Sequence, residues 1–388
     1  MIERRPMPAA PLARSRACVD RNAADNPNRD PDQGNAMTPR LLYVLHSGNL
    51  YGTERMALAT LEGLGADVDP LLCAPPGPVL AESQRRGVPS IAFTSPRDLA
   101  RVLRRELSAH REVSFAATAV THSILFAALN ARYRRRGVHV HMVHGGTDER
   151  DSYGRKKWLN HAGVRFVAVS DYVRERLVAN GVRAHRITVI ENFLGSDDIA
   201  ARPRRPSFAM PGVRRALVVS RVDPIKRVDL LLDALDGHTG PNSLEFRILG
   251  TGWDLDALRE RARATHSNVT FAGFSDDVPG ELARSDLLLH LCPVEPFGLA
   301  ILEAMAAGIP VLVPDSGGAG SLVEDGISGL RFRADDADDL ARRLATLQTA
   351  DAETLNRLVS GGDRQLATRF SAAARIADYR RIFNGVET

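Results

Sequence analysis

Two glutamates eight residues apart carry the strongest chemical promise in the chain: Glu295 opens Glu295-Pro296-Phe297-Gly298, and Glu303 follows Leu299-Ala300-Ile301-Leu302. Residues 286–291 before them read as a buried strand and 310–313 after them as another, so Glu295 falls in a strand-to-helix loop. Pro296 and Gly298 set a helix start just beyond it, and Leu299, Leu302, Met305 and Ala306 repeat at helical spacing along one face. Glu303 is then in the second turn, with Glu295 at the helix mouth. The free N–H groups there, with the positive end of the helix dipole, favour a phosphate or another anion. Two carboxylates and an anion hole thus meet at the C-terminal end of a strand, where open α/β sheets bind ligands.

The elements that must position such a site recur along the chain. Strands at 41–46, 71–74, 90–93, 115–120 and 138–143 alternate with helices that include 97–110 and 123–133, a rhythm that implies a parallel doubly wound sheet. Residues 166–170 lead into a helix at Asp171, and 187–192 end the first domain. Residues 200–212, with Pro203, Pro206, Pro211 and several arginines, read as a linker. A new strand at 216–220 leads to Arg221-Val222-Asp223-Pro224-Ile225-Lys226 and a helix from near Val228. Arg221 and Lys226 stand at a strand end just before a helix, so both cations can converge on one anion. In the first domain, Ser47-Gly48-Asn49-Leu50-Tyr51-Gly52 follows a strand, its glycines allow close backbone approach to a ligand, and Thr53 can cap the next helix. His144-Gly145-Gly146-Thr147 follows another strand end, where a histidine can donate to a hydroxyl or assist proton transfer.

Together these residues resemble the retaining glycosyltransferases of the family-4 type, also called group 1, which have the GT-B fold. The resemblance rests on Glu, seven residues, Glu, with Pro-Phe-Gly after the first and a small-residue helix ending in Gly308-Ile309-Pro310-Val311. It implies an α/β protein of two facing doubly wound, Rossmann-like domains with the active site in the cleft between them. By the same resemblance, Glu295 lies at the sugar and phosphate of a nucleotide-sugar donor and Glu303 binds the ribose hydroxyls. Arg221 and Lys226 grip the donor diphosphate, with Gly52 and Gly298 beside it; Gly250 and Phe274 lie by the nucleotide; His144 stands near the transferred sugar and the acceptor. The family's Gly-Gly-x-Glu loop is here Tyr51-Gly52-Thr53-Glu54, and Gly320-Ser321 stands where the family has Pro-Glu. The implied division is an acceptor-binding domain at 39–200, a linker at 201–212, a nucleotide-sugar-binding domain at 213–365, and a helix at 366–388 crossing back to the first domain. Residues 1–38, rich in Pro, Arg, Asn, Asp and Ala, read as a disordered extension with Met37 as the true start.

The implied reaction moves a sugar from a UDP- or GDP-sugar to a hydroxyl of a glycan, lipid-linked or small-molecule acceptor, with retention at the anomeric carbon. No Asp-rich metal motif is present, so Arg221, Lys226 and the helix after Glu295 are expected to neutralise the leaving group without metal or cofactor. A nucleotide-sugar epimerase of the same fold, a phosphorylase with a cofactor lysine, and a degenerate nucleotide-sugar-binding protein stay open as alternatives. An NAD site is not expected: Gly48 to Gly52 does not make G-x-G-x-x-G, and the second strand runs into Pro75-Pro76 without an acidic ribose ligand. With 388 residues, 44% hydrophobic and 25% charged, the composition is that of a two-domain globular protein. Cys18, Cys73 and Cys292 are too scattered for a disulfide framework or a zinc site, which points to the cytoplasm. The net charge of +4 comes largely from arginine, and Arg101, Arg104, Arg105, Arg111, Arg132, Arg134, Arg135 and Arg136 make the first half basic. They form either solvated helix faces or a patch for the inner membrane surface. Nucleic acid is not an expected partner, since aromatics are 5% of the chain and do not interleave with the basic residues.

Overall fold

The computed structural model describes residues 38–146, 149–237 and 244–385. The expectations for residues 1–37, Met37 included, and for Thr147 lie outside them. The first seven strands are β1 (Arg40–Val44), β2 (Asp69–Ala74), β3 (Ser90–Ala92), β4 (Val113–Ala117), β5 (His139–Val143), β6 (Arg165–Ala168) and β7 (Ile187–Val189). They form one sheet in the order β3-β2-β1-β4-β5-β6-β7. A second sheet holds β8 (Arg215–Val219), β9 (Glu245–Leu249), β10 (Val269–Gly273), β11 (Leu287–Leu289), β12 (Val311–Pro314) and β13 (Leu330–Phe332), in the order β10-β9-β8-β11-β12-β13.

Every pairing within the two sheets is parallel. The central strands are apolar without alternation because helices cover both faces: Leu41, Leu42, Tyr43 and Val44 are all buried, as are Leu287, Leu288 and Leu289. Parallel neighbours need crossovers, and helices such as Gly52–Leu64, Pro96–Ala109 and Val120–Tyr133 supply them. In each sheet the winding reverses once, between β1 and β4 and between β8 and β11. At such a switch point the outgoing loops part and leave a crevice. The loops after β1, β4, β8 and β11 therefore flank the two crevices.

An apolar core runs through both halves, joining Val143, Phe166 and Leu177 to Ile301, Leu302, Ala319 and Phe370. The C-terminal stretch corrects one expectation. The helical run expected from 366 is two helices, Ala352–Ala367 and Ala372–Phe383, broken where Thr368 leaves helical geometry and Ser371 begins a new turn. The break redirects the chain. The first of these helices packs on the Leu299–Ala306 helix, with Leu366 in the core that holds Met305, and the last buries Ile376, Tyr379, Ile382 and Phe383 with Met56, Leu61 and Leu64 of the first half. The cap of the Gly52–Leu64 helix is also corrected. Thr53 lies inside the first turn, and the Tyr51 N–H instead donates to the buried Glu54 carboxylate at 3.1 Å.

Candidate active site

β11 delivers Glu295 into the second switch point. Phe297 anchors its loop, buried edge-on against Phe370, and Gly298, at φ +101°, leads into the Leu299–Ala306 helix. From β8, the short turn Pro224–Lys226 aims Lys226 at the same place, and its Nζ donates to Glu295 Oε2 at 2.6 Å. Burial pushes the Glu295 carboxyl upward, but the Lys226 ammonium outweighs it and holds the group below its ordinary value of 4.5. Lys226 is correspondingly raised: burial works against its charge, and Glu295 more than compensates. His290 lies behind the pair, with Nε2 3.7 Å from Glu295 Oε2.

Arg221 leaves the end of β8 in the same loop, and its guanidinium rests on Asp223 at 2.6 Å. The two cations share a loop, but each already holds a carboxylate of its own. Asp223 also accepts the Trp253 N–H at 3.1 Å, tying the loop after β9 to the loop after β8. Gly250 makes that closeness possible. At φ +132°, a Cβ there would lie 1.9 Å from the Ser220 carbonyl oxygen. Phe274 stands exposed just past β10, next to Gly273, whose carbonyl accepts the Gly250 N–H at 2.7 Å.

The first half closes over this cluster. Gly145, at φ +78°, has Pro296 so near that a Cβ would meet its side chain at 2.6 Å, which brings the His144 loop to the residue after Glu295. Ser170 Oγ donates to the Pro296 carbonyl at 2.6 Å. Gly52 heads its helix against Leu299, so two helix N-termini point into one region. His144 is held neutral: burial, then His46, push it down to about 4, and its Nε2 makes no hydrogen bond. Beside it, Thr118 after β4 meets both the backbone N–H and the ring Nδ1 of His46 after β1.

Glu303 is buried one turn behind Glu295, and its Oε1 accepts from Arg55 at 3.3 Å and from Arg202 at 3.0 Å. The sequence reading missed both arginines, along with Ser170 and His290. Arg55 was findable, because it lies in the first turn of a helix whose start was expected to face the cleft. Arg202 was not, since the linker has no periodicity to aim it. Among the described residues, no group of three or more His, Cys, Asp or Glu is arranged to hold a metal ion.

Two doubly wound parallel domains, with their switch-point loops meeting across one crevice, make the GT-B architecture. Two family models match in succession: Glycosyltransferase Family 4 over residues 51–196 and Glycosyl transferases group 1 over residues 204–365. The chain belongs to the group 1 glycosyltransferases. It is 30% identical over 190 residues to the lipopolysaccharide core biosynthesis glycosyltransferase LpsE of Rhizobium meliloti (strain 1021), covering 48% of this chain and 55% of LpsE. It is 29% identical over 228 residues to a phosphatidyl-myo-inositol mannosyltransferase of Mycobacterium leprae (strain TN), covering 57% of this chain and 59% of the relative. The chain thus spans little more than half the length of these curated relatives. Anabaena HepE, solved in complex with UDP and glucose, shares the fold with a TM-score of 0.73 at 20% identity, over 90% of this chain and all of HepE.

Proposed function

We propose that this protein transfers a sugar from a UDP- or GDP-sugar to an acceptor hydroxyl, with retention and without a metal ion. The Lys226–Glu295 pair at the mouth of the Leu299–Ala306 helix carries the reading. It sets an ammonium, a helix N-terminus and the nearby Arg221 where a departing diphosphate needs positive charge, with an ionised carboxylate beside them. Glu303, oriented by Arg55 and Arg202, offers its remaining acceptor capacity to ribose hydroxyls. His144, held neutral, suits a hydrogen bond to a sugar or acceptor hydroxyl better than a charge contact. Closure of the first domain over this region excludes water, whose attack would waste the donor.

The acceptor belongs to the first domain. Relatives named for phosphatidyl-myo-inositol mannosyl transfer make an anionic lipid a natural candidate. Exposed Arg97, Arg104, Arg132, Arg134 and Arg136 offer it a basic surface at the cytoplasmic face of a membrane. No helix among the described residues is long and apolar enough to cross one. Thermal melts with UDP, GDP and their sugar conjugates test the donor, since a ligand at a hundred times its Kd stabilises by about 2.7 kcal/mol. A shift with one nucleotide, lost in Glu303→Ala, supports the reading, and no shift with any of them sinks it. With the donor known, activity that survives EDTA and a product of unchanged anomeric configuration check the two finer claims. Flotation with phosphatidylglycerol vesicles checks the surface.

A further inference from the structure

His290 follows β11 directly, and its backbone is pinned to β12 through the Leu312 carbonyl at 2.9 Å. The ring is 6% exposed, and its Nε2 makes no hydrogen bond. A buried ring nitrogen left unbonded is costly and calls for an explanation. It faces Glu295 Oε2 at 3.7 Å, the same oxygen that accepts from Lys226 at 2.6 Å. One carboxylate oxygen thus lies between a bond that is made and one that is not. The neighbouring polar groups are committed elsewhere: Cys292 Sγ donates to the Ile225 carbonyl at 3.2 Å, and Arg221 rests on Asp223.

Burial pushes His290 down to about 4, with Glu295 opposing and Lys226 assisting, so the ring is neutral near pH 7 and has one N–H to give. A diphosphate carries more charge than a carboxylate and pulls the Lys226 ammonium toward itself. Glu295 then loses its strongest support while still in a site where burial favours the neutral acid. A shift of about 1 Å brings His290 Nε2 into hydrogen-bond range of Oε2.

We propose that His290 is a positioning residue that takes over the Glu295 carboxylate as Lys226 is drawn to the donor diphosphate, keeping that carboxylate ionised and aimed during transfer. This rests on the donor-binding reading above. It requires the tautomer with the proton on Nε2.

The test starts from the whole wild-type chain with 15N-labelled histidine, His290 being assigned by comparison with His290→Gln. UDP and GDP are titrated, with uridine and guanosine as controls and calorimetry to establish saturation. The nucleoside diphosphate that binds should move the His290 Nε2–H proton downfield and slow its exchange with water; the nucleoside without phosphates should not. Turnover is read as the residual donor hydrolysis that escapes the closed site, on UDP-glucose or GDP-mannose according to the nucleotide bound. His290→Phe should lose about 10- to 100-fold in turnover, as expected for a hydrogen bond to a charged group. Its nucleotide Kd should stay within about twofold, and His290→Gln, which keeps an N–H near the Nε2 position, should recover most of the rate. A merely structural role would instead weaken binding and turnover together. Saturation with a diphosphate that leaves the His290 signal unmoved overturns this proposal alone, as does wild-type turnover in His290→Phe. If neither nucleotide binds, the donor reading fails and this proposal fails with it. The wild-type spectra decide the matter even if His290→Phe does not fold.

Discussion

The Glu295 carboxylate is ionised in a place that disfavours charge, and Lys226 is the reason. Because its folded pKa lies below 4.5, the pair contributes stability that is full above that value and is lost as pH falls through the folded pKa. Lys226→Met should therefore cost about 3 kcal/mol at neutral pH, the scale for breaking a buried pair. The gap to wild type should narrow once Glu295 protonates on acidification. Urea unfolding at neutral pH and near pH 4 reads this, and a pH-independent gap would contradict it. The two glutamates should also divide their labour. Glu295→Gln should leave nucleotide binding in place and abolish transfer, whereas Glu303→Ala should weaken binding. Arg202→Ala should weaken binding too, because Arg202 holds the Glu303 carboxylate. The sequence placed Glu295 at a helix mouth and Glu303 in the second turn of that helix; the arginines on Glu303 come from a helix of the other domain and from the linker, which no local pattern connects.

Ser170 shows how one element serves two ends. It caps the Asp171–Ala179 helix by accepting the Val173 N–H at 3.2 Å, and its own hydroxyl reaches Pro296 across the crevice. Ser170→Ala should lose the cap, worth about 1 kcal/mol, and loosen the loop that carries Glu295. A fall in turnover beyond the fall in stability, read by kinetics beside urea melts, would separate the two. The final helix braces the first domain in a comparable way. Ile376 sits on Gly63, where a Cβ would meet it at 2.5 Å, so the two helices pack closely at that point. Ile376→Ala should destabilise by about 2–5 kcal/mol, the cost of deleting a buried aliphatic side chain, as denaturant unfolding would show.

Across the whole molecule the buried and half-buried histidines make stability fall on mild acidification. Burial is the leading cause in each: His122, His139, His144 and His290 are held down to about 4, and His141 lies well below its ordinary value. An unfolded histidine takes up its proton near 6.5, so between about 4 and 6.5 the unfolded chain binds more protons and stability rises with pH. The contribution is full above about 6.5 and drains away on acidification. Thermal melts should show Tm falling steadily from pH 7 to pH 5, and His139→Phe should flatten the fall. A flat Tm over that range would mean that these rings open to water more readily than their burial implies.

The sequence by itself determined what depends on near neighbours. The rhythm of apolar strands and amphipathic helices placed most strands of two parallel sheets, though not β13 or the helices Leu255–Thr265 and Ala337–Thr349, and the string from Glu295 to Pro310 located the helix mouth. These were legible because each needs only periodicity, a turn residue or a fixed spacing within one helix. Tertiary structure alone decided who partners whom: Lys226 on Glu295, Arg55 and Arg202 on Glu303, Ser170 on Pro296, and His290 beside an oxygen it does not yet hold. It also decided the break at Thr368, where the chain must turn to reach the other domain. The physical reason is common to all of these. Each joins residues from different elements, often far apart along the chain, through packing of two sheets whose mutual placement no local propensity encodes.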